Sequence, residues 1–225
     1  MAIPNRIRLR REEFQVFSTS FEAVFRKVAN RDPKHKTLEE IYSFHTSPGG
    51  RFGGHDARTV EAFYGQRPFE SIKEINWREF GIPRITDRLL IEKGATNSYQ
   101  RGNNGTVLCT IHPAGSDGFR RREEGILLAL IRDPGRLNSS LTLERHWKAF
   151  MSYMQRTSLE GEPTIVDRIR LHWLLFTRIQ IVEGKTQTPH VWDAMLKVFS
   201  FSLTVGLSGF LLATVQWWFT GMPGR

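Results

Sequence analysis

The sequence predicts a mainly α-helical protein: an irregular helical extramembrane domain with long loops, followed by a single C-terminal transmembrane helix. Three observations support this fold class. Residues 198–220 contain no charged side chain. Elsewhere apolar residues recur at three- and four-residue spacing, which places them on one face of a helix. The stretches 47–56 and 97–105 are rich in glycine or polar residues, which is typical of loops.

The composition restricts the classes of partner. The chain has 225 residues, a length that fits one domain or two small ones. Its net charge is +9, and 24 of its 32 basic residues are arginine. A basic chain favours nucleic acid, anionic lipid or acidic protein partners. The planar guanidinium group suits bidentate contacts, which makes protein surfaces and lipid head groups at least as plausible as nucleic acid. The single cysteine, Cys109, cannot form an intrachain disulfide.

Residues 1–36 are predicted to be a basic N-terminal segment with an amphipathic helix. Phenylalanines at positions 14, 17, 21 and 25 share one helical face. Four arginines within the first eleven residues are typical of a mitochondrial import signal, whereas Glu12, Glu13 and Glu22 are not. Two interpretations remain open, an ordinary N-terminal helix and an uncleaved import signal.

Residues 37–187 are predicted to form the helical extramembrane domain. A capping box at residues 37–40 predicts its first helix. Asp56 is placed to cap a second helix, which contains Val60 and Tyr64. Further helices are predicted from Pro68 to Gly81, from Ile85 to Gly94, and over residues 119–133, 141–154 and 163–183. Residues 106–112 are the one segment for which we predict a strand.

Residues 188–225 are predicted to hold the transmembrane helix and a short tail. The uncharged run 198–220 would be roughly 34 Å long as a helix, enough to cross a hydrocarbon core of about 30 Å. The residues expected at the membrane interface are Trp192, Lys197, Trp217 and Trp218. A stripe of small or polar residues is expected to pack against other membrane helices: Ser202, Gly206, Gly209, Ala213 and Gln216.

The charges that flank this run predict its orientation. Arg178, Lys185 and Lys197 precede it, and only Arg225 follows it. Positively charged flanks stay on the cytoplasmic side or its equivalent. The large N-terminal domain is therefore expected on the matrix side of a mitochondrial inner membrane, or on the cytosolic side of another membrane.

Two arginine-rich segments are the expected contacts with lipid phosphate or with a protein partner. One is Arg120, Arg121 and Arg122, and the other is Arg168, Arg170 and Arg178 in the predicted helix 163–183. That helix combines an apolar face with arginines, so it fits a helix lying on a membrane surface. A buried core helix explains the same pattern equally well.

We find no motif that carries a catalytic, cofactor-binding or metal-binding prediction. Cys109 and His112 have half the spacing of a zinc site, and no second pair accompanies them. The glycines at residues 49–54 do not form a phosphate-binding loop. Arg120–Arg122 lack the interleaved aromatic residues that stack on bases, so nucleic acid is not an expected partner.

These observations favour a non-catalytic accessory subunit of a multi-subunit complex in the mitochondrial inner membrane, either a respiratory-chain complex or ATP synthase. Its expected partners are other membrane subunits and phospholipid, including cardiolipin, with no cofactor. One alternative is a tail-anchored receptor or tether of the outer mitochondrial or endoplasmic reticulum membrane. Another is a membrane-bound enzyme using Cys109, His112 or the pair His55–Asp56. A chloroplast complex is a variant of the first reading.

Overall fold

A computed structural model describes residues 5–50, 57–77, 83–192, 195–202 and 215. Over these residues the chain is a mixed α/β fold with about 33% strand. The helices are α1 (Asn5–Ala29), α2 (Pro33–Tyr42), α3 (Ser140–Thr157) and α4 (Ile165–Thr177), with a short 3-10 helix at Pro134–Asn138. The strands are β1 (Phe44–Pro48), β2 (Thr59–Tyr64), β3 (Gln66–Trp77), β4 (Pro83–Lys93), β5 (Thr96–Arg101), β6 (Val107–His112), β7 (Gly115–Ser116), β8 (Gly125–Ile131), β9 (Ile179–Val182) and β10 (Lys185–Gln187).

The strands form two antiparallel sheets within this described part of the chain. The larger sheet has seven strands in the order β1-β2-β5-β6-β8-β9-β10. The smaller sheet is β3-β4-β7, in which β4 pairs with β3 along its whole length but with β7 at two residues only. The β3–β4 hairpin therefore extends away from the large sheet.

An aromatic cluster joins the N-terminal helix to the sheet. Phe14, Phe17, Phe21 and Phe25 of α1 are all buried, which confirms the predicted amphipathic helix. Tyr99 of β5 lies under this stripe, with its ring centroid 5.3 Å from that of Phe17 and 5.7 Å from that of Phe21. Edge-on contacts of this kind stabilise a core beyond the area they bury.

The opposite face of the large sheet is partly open. Buried Val107, Cys109 and Ile111 of β6 alternate with residues that face away from α1. Leu108 pairs across the sheet with Leu130 of β8, and the two are 36% and 55% exposed. The sheet thus buries one face under α1 and leaves these leucines on the other.

The predicted mainly α-helical fold class is wrong, because several predicted helices are strands. The segment capped by Asp56 in the prediction is β2, although Asp56 itself lies outside the described residues. The predicted helix 119–133 contains β8, and the predicted helix 163–183 ends at Thr177 and continues as β9. For β8 the cause is that a short, continuous apolar run fits a buried strand as well as a buried helix.

The predicted helices from Pro68 to Gly81 and from Ile85 to Gly94 are also wrong, since these segments are β3 and β4. The usual alternation of apolar and polar residues is missing there. It arises when one face of a strand is buried and the other is solvated. Ile72 and Ile75 are both exposed although they lie on opposite faces of the hairpin, so no alternation marks β3.

Some of the other local predictions are confirmed and others are wrong. The strand predicted at 106–112 and the helix predicted at 141–154 are confirmed as β6 and α3. The capping box predicted at residues 37–40 is wrong. The N-cap of α2 is Asp32, five residues before Thr37: its side chain accepts a hydrogen bond from the backbone N–H of Lys34, and Pro33 occupies the first turn. The predicted loop 97–105 is largely β5 and the turn that follows it.

The C-terminal segment is only partly described. Residues 190–192 and 195–202 are helical, whereas 203–214 and 216–225 lie outside the described residues. Among the residues that the structure does describe, no helix has both the length and the apolar character needed to cross a membrane. The single transmembrane helix of the predicted fold class therefore has no counterpart there.

We expect Phe21→Ala to lower the free energy of unfolding by about 3–5 kcal/mol, because it leaves a cavity between α1 and Tyr99. The measurement is urea unfolding followed by circular dichroism. Val16→Ala is the matched control on the exposed side of the same helix and should change the value by less than about 0.5 kcal/mol. A decrease of less than about 1 kcal/mol in the free energy of unfolding for Phe21→Ala would show that the phenylalanine stripe of α1 is not part of the core.

Candidate interaction surfaces

A polar cluster is buried between β5, β6 and α3. The Cys109 thiol lies 3.6 Å from the Nδ1 atom of His146 and donates a weak hydrogen bond to Oδ1 of Asn97. The hydroxyl oxygen of Tyr99 lies 3.2 Å from the same His146 nitrogen and accepts a hydrogen bond from the Asn97 side-chain amide. The sequence analysis missed this cluster because its members are spread over 50 residues.

The environment of this cluster favours the neutral form of each group. Burial raises the pKa of the Cys109 thiol far above its usual range. Burial, with a smaller effect of the nearby Arg178 charge, lowers the pKa of His146 to about 4. A nucleophilic cysteine needs the opposite conditions, namely an accessible thiolate beside a protonated partner. In this fold the cluster is a hydrogen-bonded part of the core.

The other residues considered for chemistry are not brought together with Cys109. The Nδ1 atom of His112 lies 2.8 Å from the backbone carbonyl oxygen of Glu124, at the end of β6. His55 and Asp56 lie outside the described residues. Among the described residues, no group of three or more histidine, cysteine or acidic side chains is arranged to hold a metal ion.

Helix α4 exposes an apolar surface, which we call the outer face of α4. It consists of Ile165, Val166, Ile169 and Trp173, which are between 59% and 74% exposed. At 100° per residue these four positions fall within an arc of about 100°. The opposite side of the helix buries Leu171 and Leu174 against the core. Helix α4 is therefore apolar on both sides, and only one side is covered within the described part of the chain.

A buried carboxylate fixes which side faces inward. Asp167 is 6% exposed, and its side chain accepts hydrogen bonds from Ser152 of α3, from Lys34 of α2 and from the Thr164 backbone N–H. Thr164 in turn accepts a hydrogen bond from the Asp167 backbone N–H, which completes a capping box. These hydrogen bonds to its charged form keep the pKa of the carboxyl well below its usual range although burial acts in the other direction.

The two arginine-rich segments predicted from the sequence meet at α4. Arg121 and Arg168 line one groove of about 540 Å³ together with Arg156, His172 and the outer-face residues Ile169 and Trp173. We call this the arginine groove. Arg121 is paired with buried Glu123. The guanidinium groups of Arg156 and Arg168 are exposed and make no ion pair or hydrogen bond with any described residue.

The remaining predicted arginines lie elsewhere. The Arg170 side chain donates a 2.8 Å hydrogen bond to the Ser152 hydroxyl group and so ties α4 to α3. Arg178 is an exposed residue that follows the last turn of α4. Arg120 and Arg122 line a second cleft of about 640 Å³, which shares Arg121 with the arginine groove and is also lined by Lys93, His112, Asp117, Glu123, Glu124 and Glu183. That cleft mixes both signs of charge, whereas the lining of the arginine groove has no acidic residue.

The residues predicted at the membrane are mostly beyond the described part of the chain. Trp192, Lys197 and Ser202 are exposed and helical. Trp217, Trp218 and the packing-stripe residues Gly206, Gly209, Ala213 and Gln216 lie outside the described residues. Exposed apolar side chains are frequent in the described C-terminal segment, where they include Met195, Leu196, Val198, Phe199 and Phe201.

The β3–β4 hairpin, which we call the hairpin arm, is a second exposed apolar surface. Ile75 and Ile85 lie opposite each other and are 56% and 64% exposed. Leu89 and Ile91 extend the same side of the ribbon toward its base. The base is fixed by Glu92, a buried carboxylate that accepts hydrogen bonds from Tyr42 and from the Arg67 guanidinium group. An anchored base and an uncovered arm are typical of a segment that contacts a partner.

The chain shows no significant match to any protein-family model, to any curated protein or to any solved structure. Its function must therefore be inferred from its own surfaces.

We expect the stability of the protein to fall as the pH drops from 7 to 5, partly because of His146. Its folded-state pKa of about 4 lies below the usual 6.5, so between these values the unfolded chain binds the additional proton. At pH 5 this difference in proton binding at His146 should lower the free energy of unfolding by about 2 kcal/mol. Urea unfolding of wild type and His146→Gln at both pH values measures it.

His35 is also buried, with a lowered pKa, and contributes with the same sign. The difference in pH dependence between wild type and His146→Gln isolates the contribution of His146. Equal slopes for the two proteins would contradict the assignment.

Asp167→Asn should lower the free energy of unfolding by about 3 kcal/mol at neutral pH, because a charged acceptor is lost from three buried or half-buried hydrogen bonds. Asp133→Asn is the matched control, since Asp133 forms an exposed ion pair with Arg136. Exposed pairs of this kind contribute about 0–1 kcal/mol. Similar losses for the two variants in a urea titration would rule out the proposed role of Asp167.

Proposed function

We propose that this chain is a non-catalytic accessory subunit of a multi-subunit complex in the mitochondrial inner membrane, of the respiratory chain or ATP synthase, with its folded domain on the matrix side. The observation that supports this most directly is the hairpin arm. The other supports are the charge distribution around residues 198–220 and the basic N-terminal helix.

The hairpin arm argues for a partner subunit on physical grounds. An isolated two-stranded ribbon is only marginally stable in water, because it lacks a third strand or a helix to cover an apolar face. Strands β3 and β4 span twelve and eleven residues, and their outer parts expose Ile75, Ile85 and Leu89. A protein surface that covers these residues supplies the missing packing.

The charged contacts at the base of the arm are consistent with docking as its role. Arg67 is held between Glu92 and Glu160, with its guanidinium carbon 5.0 Å from the ring centroid of Tyr42. These contacts connect the arm to α2 and to the segment between α3 and α4. They fix the direction in which the arm leaves the domain, which is the requirement for docking it to a partner.

We expect the full-length chain to comigrate with an assembly of several hundred kilodaltons on blue-native gels of mildly solubilised mitochondrial membranes, with mass spectrometry of the band naming the other subunits. Ile75→Thr combined with Ile85→Thr should reduce comigration at least about fivefold. Threonine keeps the strand propensity of isoleucine while removing apolar contact area.

The matched control is Leu108→Thr combined with Leu130→Thr, another exposed cross-strand pair, located on the open face of the large sheet. This variant should comigrate as wild type does. Wild-type chain that migrates alone would reject the subunit proposal and favour a tether. Equal comigration of both double variants would show that the arm is not the docking element.

A further inference from the structure

We infer that the outer face of α4 and the arginine groove bind the surface of an anionic lipid bilayer. This inference rests on the proposed function only in assuming that the domain lies beside a membrane. It assigns the bilayer, and not a protein subunit, as the occupant of one particular surface.

The first argument is the distribution of residues around α4. Ile165, Ile169 and Trp173 form a continuous apolar stripe that points away from the core. Arg168 and His172 border the stripe on the side of the arginine groove, and Arg170 borders it on the other side. A helix with an apolar face flanked by arginines is the arrangement that settles at the boundary between head groups and acyl chains.

The second argument is which of the arginines near α4 already have a partner within the domain. Arg170 already has partners, since it donates to Ser152 and lies 3.8 Å from the Asp167 carboxylate. Arg156 and Arg168 have none among the described residues, and both side chains are solvent-exposed beside Trp173. Two unpaired guanidinium groups beside an apolar stripe are complementary to lipid phosphates above acyl chains, because each arginine near an anionic surface adds electrostatic attraction.

The third argument is continuity along the chain. Residues 190–192 and 195–202, which begin thirteen residues after the end of α4, are helical, and their exposed side chains include Trp192, Leu196 and Phe199. The uncharged run 198–220 follows. Exposed apolar and aromatic side chains thus recur shortly after α4, as expected of a domain that lies beside a membrane.

The test uses the full chain reconstituted in vesicles, with single cysteines at Ile165 and Ile169 labelled with the fluorophore NBD. Buried Cys109 is kept, and wild type treated with the same NBD reagent measures its background labelling. The control label is Leu130→Cys, which is also exposed but lies on the open face of the large sheet. The vesicles contain phosphatidylcholine alone or with 30% phosphatidylglycerol, and nitroxide-labelled lipid serves as the quencher.

In the anionic vesicles we expect blue-shifted emission at positions 165 and 169, and at least about threefold stronger quenching by the nitroxide lipid than at position 130. Arg156→Gln combined with Arg168→Gln should remove most of this difference. Cardiolipin in place of phosphatidylglycerol should act similarly, because the shared chemistry is the phosphate group.

Water-like emission at 165 and 169 in every vesicle would overturn the inference. So would a blue shift that appears only within the native complex and resists quenching by lipid, because a protein would then cover the face. Neither result depends on the native-gel experiment. If the chain comigrates with a complex but α4 stays in water, only the lipid inference is refuted. If the chain migrates by itself but α4 enters lipid, only the subunit proposal is refuted.

Discussion

The placement of the Asp167 carboxylate determines what the surface around α4 can do. Helix α4 is apolar on both sides, so hydrophobic burial by itself would stabilise either orientation. A carboxylate is costly to bury unless it is paired and hydrogen-bonded. Beyond its own N-cap, Asp167 finds such partners at Lys34 of α2 and Ser152 of α3. This constraint turns Leu171 and Leu174 toward the core and leaves the outer face of α4 uncovered in the described structure.

The same principle operates at the base of the hairpin arm. Glu92 is buried, and it accepts hydrogen bonds from Tyr42, from Arg67 and from the backbone N–H of Leu159. These partners come from α2, from β3 and from the segment after α3. One satisfied carboxylate therefore orients the arm relative to the domain, as Asp167 orients α4. In both places a buried charge selects one arrangement, and the exposed apolar surface follows from that choice.

The two surfaces differ in what complements them. The hairpin arm pairs exposed Ile75 with exposed Ile85 and carries both signs of charge along its length, including the Arg88–Glu74 ion pair. The outer face of α4 is bordered by the arginine groove, whose lining contains three arginines and no acidic residue. A protein subunit suits the first surface and an anionic bilayer suits the second, so one domain can contact both without competition.

The sequence by itself determined the elements whose signals are local. It located α1 through its phenylalanine stripe, α3 through its helical apolar pattern, and β6 as a strand. The two arginine-rich segments were also visible in it. Only the tertiary structure decided that β3, β4 and β8 are strands, because both faces of the hairpin are exposed and β8 is apolar throughout, so neither shows a two-residue period.

The candidate surfaces also could not be predicted from local sequence patterns. Arg121 and Arg168 are 47 positions apart in sequence, and only the fold places them in one groove while it engages Arg170 inside the domain. The outer face of α4 was likewise undetermined, because its direction depends on contacts of Asp167 with residues 15 and 133 positions away. Local patterns specify which segments can form helices, whereas long-range pairing of buried polar groups specifies which of their faces remain exposed.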